Sequence, residues 1–144
     1  MKGKKIVIVG IFCLLMIMII ISGERINVQA ATKKYSFVCD ECSTFKKSGS
    51  RITVKIIKNG YNGLRLNNKI VSRGKVVLNL SKRCNWSQTP GGALPYKKAS
   101  YRKIKNQISH EYNYRKRYGD YDSPSIVVIT VKNGKVTRVN LSCF

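Results

Sequence analysis

The chain has 144 residues with 28 Lys and Arg, six Asp and Glu, and one His, so its formal net charge is +22. Carboxylates are too few for a glycosidase-like acid pair, and no Ser or Cys nucleophile set with a histidine base is apparent, so the sequence indicates neither a glycosidase nor a triad hydrolase. The positive surplus instead predicts a partner rich in negative charge, such as a phosphate backbone, an anionic lipid surface or an acidic glycan. The alternative is that the charge only aids solubility.

The N-terminus has the pattern of a secretory signal peptide. Lys2, Lys4 and Lys5 precede an apolar run from Ile6 to Ile21, and Val28-Gln29-Ala30 has the small-residue cleavage pattern. We therefore predict a signal peptide over 1–30 and one secreted basic domain over 31–144. An uncleaved membrane anchor is the alternative, but the apolar run is short for a span.

The predicted mature chain keeps most of this positive surplus. The first 30 residues hold four of the 28 basic and one of the six acidic residues, so 24 basic and five acidic residues remain. Between Ser43 and His110 there are 16 Lys and Arg and no Asp or Glu. A single small domain, which we expect to be a monomer, cannot neutralise this surplus internally and must present a strong positive field.

Four cysteines remain after the signal: Cys39, Cys42, Cys84 and Cys143. An even number in a secreted chain predicts two structural disulfides, and we favour a bridge from Cys39 or Cys42 to Cys143. Cys39-Asp-Glu-Cys42 can also be read as half of a zinc ribbon or as a redox motif. The second half of a ribbon is missing, and the acidic pair disfavours a reactive thiolate. We expect no metal and no cofactor.

The central region predicts short strands. Ile52, Val54 and Ile56 alternate with polar residues, which favours a strand, but Ser50 and Gly60 are also typical of the ends of a short helix, so helix and strand stay open for 51–59. Further short strands are predicted over 64–66, 69–71 and 75–80, with turns at 67–68 and 73–74 and a loop over 89–92. Glycosylation sequons begin at Asn79, Asn85 and Asn140 and matter only in a eukaryote.

The stretch from Tyr96 to Gly119 predicts a basic helix. Tyr101, Ile104, Ile108 and Tyr112 recur at helical spacing between Ser100 as N-cap and Gly119 as stop, although tyrosines also suit strands. Basic residues between tyrosines suit phosphate contacts and base stacking. The predicted nucleic-acid-binding residues are Lys97, Lys98, Tyr101, Arg102, Lys103, Lys105, Arg115, Lys116 and Arg117. The alternative is that the tyrosines are core residues and the basic residues are merely solvated.

The C-terminal stretch predicts a hairpin around Asn133-Gly134, the strongest short-range turn signal in the chain. A two-residue turn sets Lys132 opposite Lys135 and, with no interruption, Ile126 opposite Leu141. This register pairs Thr130 with Thr137 and Val128 with Val139 on one face. The first strand is apolar on both faces and should lie centrally in the sheet. Cys143 should point towards the core.

His110 and Glu111 are the weak candidates for catalysis. RNA cleavage without a metal needs an acid and a base on opposite sides of a phosphate. Neighbouring residues point about 100° apart on a helix and to opposite faces on a strand, so these two make a poor pair. We therefore predict no ribonuclease activity.

Several motifs resemble a known family. Tyr35-Ser-Phe-Val-Cys39 resembles the aromatic-x-Cys motif that opens the RNase-like secreted effectors of powdery mildew fungi, and Cys143 matches their closing cysteine. The stretch 50–61 is similar to the first helix of fungal guanyl-specific ribonucleases, and 125–139 to their late hairpin. The resemblance implies an α+β, microbial ribonuclease-like fold: a small antiparallel sheet with one or two helices, tied by Cys39–Cys143, with 51–59 helical.

The resemblance also carries an implied function. The ribonucleases need a second catalytic group, and Asn140 stands near where their second histidine is expected. The likeness therefore implies a secreted, non-catalytic effector, delivered into host cells, that binds host RNA or a host protein. The alternatives are a small cationic antimicrobial protein or toxin acting on anionic membranes or RNA, and an active secreted ribonuclease resting on His110, Glu111 and a nearby arginine.

Overall fold

A computed structural model describes residues 31–72, 74–90 and 96–143, so the predicted signal peptide and most of the loop over 89–92 lie outside the described residues. Nine strands and one α-helix are present there. The strands are β1 (Lys33–Val38), β2 (Cys42–Ser48), β3 (Arg51–Ile56), β4 (Leu64–Leu66), β5 (Lys69–Ser72), β6 (Lys75–Thr89), β7 (Lys97–Lys98), β8 (Ile126–Lys132) and β9 (Lys135–Ser142). A 3-10 turn (Cys39–Glu41) joins β1 to β2, and helix α1 (Tyr101–Tyr118) joins β7 to β8.

The strands form one sheet in the order β2-β3-β6-β9-β8-β1-β4-β5, and β7 adds to the side of β6. The described residues thus have an α+β fold, as predicted. The sheet is larger than the small antiparallel sheet that we expected and is mixed, because β6 and β9 run parallel. Strand β8 lies between β9 and β1, which confirms its predicted central position.

The sheet curls so that its two halves share one core. Phe37 in β1 and Phe45 in β2 have ring centroids 6.0 Å apart, although four strands separate β1 from β2 in the sheet order. A flat sheet with about 4.8 Å between strands would hold these residues more than about 20 Å apart. Strand β6 provides the turning point. It pairs with β3 from Lys75 to Asn79, and it pairs with β9 at Asn79 and Leu80 and again from Asn85 to Thr89, with a register shift between Leu80 and Asn85.

The hairpin β8–β9 forms at the predicted turn, but its register differs from the prediction. Lys132 faces Lys135 and Val131 faces Val136, and then a bulge places Thr130 opposite Arg138 instead of Thr137. All later pairs shift by one residue, so Ile126 faces Ser142. The bulge brings the apolar residues of both strands onto one face, where Val127, Ile129, Val131, Val136, Val139 and Leu141 are all buried. Core burial therefore outweighs an uninterrupted ladder here.

Residues 51–56 form strand β3, so the strand prediction is correct and the helix that the ribonuclease resemblance implies for 51–59 is wrong. Ile52, Val54 and Ile56 are each at most 1% exposed, because β3 packs this face into the core between β2 and β6. Gly60 does not end a helix. It lies against the Glu41 carboxylate, where a side chain would have no room.

Helix α1 covers part of the buried face of the sheet and contacts mainly the 3-10 turn and β2. Ile104 and Ile108 are fully buried there, with Phe45 and Trp86 among the surrounding core residues. No helix among the described residues is both long enough and apolar enough to span a membrane.

Candidate nucleic-acid interface

The predicted basic helix is present with both of its predicted ends. The Ser100 hydroxyl accepts a 3.2 Å hydrogen bond from the N–H of Lys103, and Gly119 follows the last turn with φ of 95°. A non-glycine residue rarely adopts such a positive φ, which explains why the helix ends there. Lys116 and Arg117 lie in the last turn, where positive charge complements the helix dipole.

The buried stripe of α1 determines which basic residues reach the solvent. Ile104, Ile108 and Glu111 face the core, so the opposite side of the helix carries charge. Seven of the nine predicted binding residues are exposed lysines and arginines on α1 and the adjoining strand β7. We call them the basic helix surface: Lys97, Lys98, Arg102, Lys103, Lys105, Lys116 and Arg117.

Tyr101 belongs to the aromatic part of the core. Its ring stacks on Phe45 at 6.0 Å and meets the edge of Trp86 at 5.5 Å. Its hydroxyl accepts a 2.9 Å hydrogen bond from the N–H of Lys47 and donates a 3.2 Å bond to the carbonyl of Phe45. These contacts agree with the core alternative for Tyr101 and attach the start of α1 to β2.

Arg115 is engaged inside the fold and does not join the basic helix surface. Its guanidinium lies 2.9 Å from Asp40 and 2.9 Å from Asp120, and 3.9 Å from Glu41. Burial raises the pKa of Asp40, although the hydrogen bond and charge of Arg115 oppose that rise. Burial acts to lower the pKa of Arg115, but the hydrogen bond and charge of Asp40, together with the charges of Asp120 and Glu41, outweigh burial and raise this pKa.

The Glu41 carboxylate holds the loop after β3. It accepts hydrogen bonds from the N–H groups of Asn62 and Gly63, at 3.0 and 2.9 Å, and Glu41 is only 1% exposed. Asp40 and Glu41 thus organise the packing of α1 and of the loop over 57–63. In the sequence, this acidic pair served only as an argument against a redox motif.

His110 and Glu111 point in different directions, as the helical spacing predicts. His110 is exposed, whereas Glu111 is 1% exposed and accepts hydrogen bonds from the N–H and hydroxyl of Ser125 and from the Gln107 amide. The closest of these contacts is 2.6 Å, to the Ser125 hydroxyl. A carboxylate so occupied cannot reach a substrate that contacts His110.

Three of the five described acidic residues are buried, whereas nearly all of the described basic residues are exposed. Asp40, Glu41 and Glu111 are each at most 2% exposed, and Asp120 and Asp122 lie in the exposed segment after α1. Among the described Lys and Arg, only Arg65 and Arg115 are half-buried, and the other 21 are exposed. The ion pairs found among the described residues all involve Arg115. The surface field is therefore strongly positive.

The four cysteines expected to form bridges carry free thiols in this structure. Cys39 and Cys42 are buried, and Cys143 packs against the same core, as predicted from its side of β9. Burial raises the pKa of Cys42 to about 12. Burial also raises the pKa of Cys39, and the nearby Glu111, Cys42 and Cys143 add to that rise. Cys143, the proposed bridge partner of Cys39, is therefore part of the electrostatic surroundings of Cys39.

The sequence reasoning missed an exposed group of tyrosines at the C-terminal half of α1. Tyr118 lies one turn after Tyr114, and Tyr121 follows the helix. Tyr114 and Tyr118 are 41% and 72% exposed. The available signal was the spacing of four residues between Tyr114 and Tyr118, which places their side chains next to each other on the helix.

Comparison of the chain with protein-family models, with curated proteins and with solved structures gave no match. Within the described residues, no group of three His, Cys, Asp or Glu side chains is placed to hold a metal ion. The geometry of the basic helix surface is therefore the basis for a functional proposal.

Proposed function

We propose that this protein is a secreted RNA-binding protein that does not cleave its ligand. The observation that carries the proposal is the separation of charge: three of the five carboxylates after residue 30 are buried and hydrogen-bonded internally, while 21 of the described Lys and Arg are exposed. An unneutralised cationic surface of this size favours a polyanion, and lysine and arginine contacts to the phosphates of a nucleic-acid backbone supply binding of that kind.

The basic helix surface is the part that we assign to RNA contact. The buried stripe and the two helix ends fix the position of α1, so its lysines and arginines project from a rigid element. We omit Tyr101 and Arg115 from the binding set, because the core and Asp40 engage them. Phosphate contacts from the remaining seven residues would hold RNA without reading its sequence.

The arrangement around His110 supports the proposed absence of cleavage. Glu111 is occupied by Ser125 and Gln107, so this neighbouring carboxylate is not available to act together with His110. Transphosphorylation without a metal requires a second proton-transferring group. We extend the proposal to a role as an effector that acts on host RNA, in line with the motifs around Cys39 and Cys143, and to disulfide bridges that form on secretion.

The proposal is tested with the secreted protein and a fluorescein-labelled single-stranded RNA of about 20 nucleotides. Fluorescence anisotropy over a range of salt concentrations should give a log affinity that falls linearly with log salt, by about 0.7 per phosphate neutralised. The same RNA should stay intact on a denaturing gel. Failure to bind at low salt would refute the proposal and favour a host protein or an anionic membrane as partner. Cleavage that His110→Ala abolishes would establish the ribonuclease alternative.

A further inference from the structure

The second half of α1 carries an aromatic group that the basic helix surface does not use. Tyr114 and Tyr118 have ring centroids 5.0 Å apart, and Tyr114 and Tyr121 also lie at 5.0 Å, with an interplanar angle of 78°. Packing against Tyr121 limits the motion of the Tyr114 ring, and Tyr114 in turn supports Tyr118. The three rings form one unit, which we call the tyrosine platform.

This platform is exposed in a way that core packing does not explain. Tyr118 is 72% exposed and Tyr114 is 41% exposed, whereas Tyr101 on the same helix is enclosed by Phe45 and Trp86. Contiguous exposed aromatic surface on a small protein is typical of a binding site. The platform faces solvent on a structured helix, so it is already arranged before any ligand binds.

The surroundings of the platform identify the chemistry of its ligand. Tyr114 and Tyr118 line a shallow hollow of about 260 Å³ together with His110, Asn113 and Arg117. Arg117 supplies a charge for a phosphate and a planar guanidinium, and Asn113 supplies an amide that can hydrogen-bond to a base edge. A flat, apolar ligand attached to an anion fits this combination, and a nucleotide of single-stranded RNA has both parts.

We propose that the tyrosine platform stacks a nucleobase of single-stranded RNA, with Tyr118 as the ring that meets the base. The inference rests on the proposed RNA binding and adds the kind of RNA: unpaired bases, because bases inside a duplex present no free face to a ring. The basic helix surface would then hold the backbone while the platform holds one base.

An abasic RNA separates stacking from charge. It has the same number of phosphates as a base-containing strand of equal length but no base to stack. The wild-type protein should bind the base-containing strand about 5- to 150-fold more tightly than the abasic strand, the range that one stacked base supplies. Anisotropy with both fluorescein-labelled strands at one salt concentration measures this ratio.

Three variants test whether the Tyr118 ring causes the tighter binding of the base-containing strand. Tyr118→Ala should bring the ratio close to one and leave the affinity for the abasic strand unchanged, whereas Tyr118→Phe keeps the ring and should preserve the ratio. Tyr61→Ala is the matched control, because Tyr61 is 76% exposed on the loop after β3 and lies outside the platform. Equal binding of both strands by the wild type, or an unchanged ratio in Tyr118→Ala, would overturn the platform and leave RNA binding intact. No binding of either strand would instead refute the proposed function.

Discussion

The Glu111 carboxylate of α1 accepts hydrogen bonds of 2.8 and 2.6 Å from the N–H and the hydroxyl of Ser125, which immediately precedes β8. Both residues are buried, at 1% and 3% exposure, so these bonds form away from water. They connect the helix to the central strand of the sheet across 14 positions of sequence. Glu111 is thus a structural residue, although it stands next to the only histidine in the chain.

Replacement of Glu111 should therefore destabilise the fold. Glu111→Ala leaves the buried N–H of Ser125 without an acceptor, and we expect a loss of about 2–3 kcal/mol in the free energy of unfolding. Glu111→Gln retains an acceptor oxygen and should lose less. His110→Ala is the adjacent control and should stay within about 0.5 kcal/mol of the wild type, since His110 is exposed. Urea denaturation measures all three, and equal stability of Glu111→Ala and wild type would contradict the structural role.

Substitution of Arg115 should lower stability, whereas substitution of Arg117 should weaken RNA binding, although both belong to the same basic cluster in the sequence. Arg115→Ala leaves Asp40 buried without its cation, so we expect a loss of about 2–4 kcal/mol in stability. Arg117→Ala should leave the melting temperature unchanged and weaken RNA binding, because Arg117 is exposed. Thermal melts and anisotropy on the two variants distinguish these roles. A stable Arg115→Ala protein with weakened RNA binding would return Arg115 to the binding set.

The basic helix surface should contribute more to the salt dependence of RNA binding than other lysines do. Changing Lys103 and Lys105 together to Gln should flatten the slope of log affinity against log salt by about one unit, with no change in sequence preference. Lys132→Gln with Lys135→Gln is the charge-matched control at the turn of the β8–β9 hairpin. If both double variants change the slope equally, the net charge and not the helix determines binding.

Disulfide bridges are expected in material recovered after secretion. Peptide mapping without reduction should recover Cys143 joined to Cys39 or Cys42, since Cys143 packs against the core that buries the other two. A bridge that closes about 100 residues stabilises by up to about 4–5 kcal/mol in the chain-entropy model. Free thiols at all four positions in secreted protein would contradict this expectation.

The reduced protein should lose stability in alkaline solution through its buried thiols. The ordinary pKa of Cys42 is 9.0 and burial raises it to about 12, so between these values the unfolded chain releases a proton that the folded chain retains. The contribution of the protonated Cys42 thiol to the stability of the fold is therefore complete below pH 9.0. It declines as pH rises towards about 12, by up to about 1.4 kcal/mol per pH unit for one thiol. Cys42→Ala should show a shallower decline in urea midpoints from pH 9 to 11. An equal decline in the wild type and in Cys42→Ala would show that the Cys42 thiol does not cause the loss of stability.

Local features of the sequence determined several elements of this protein. Ser100 and Gly119 defined the ends of α1, and Asn133-Gly134 defined the turn of the hairpin, because caps and tight turns depend on the conformational preferences of one or two residues. The doubly apolar pattern of β8 identified it as a central strand. The charge imbalance was likewise a property of composition, and folding could not change its sign.

Only the tertiary structure decided which residues of those elements face inward and which partners they meet. Arg115 pairs with Asp40 across 75 positions, and β6 meets β9 in parallel, and neither relationship has a local signal. The bulge between Thr130 and Val131 arises because core burial of both strands competes with a regular ladder. Hydrophobic alternation in one strand does not reveal that balance. Glu111 falls seven residues after Ile104, in the buried stripe, but a carboxylate is stable there only because the fold brings Ser125 to it.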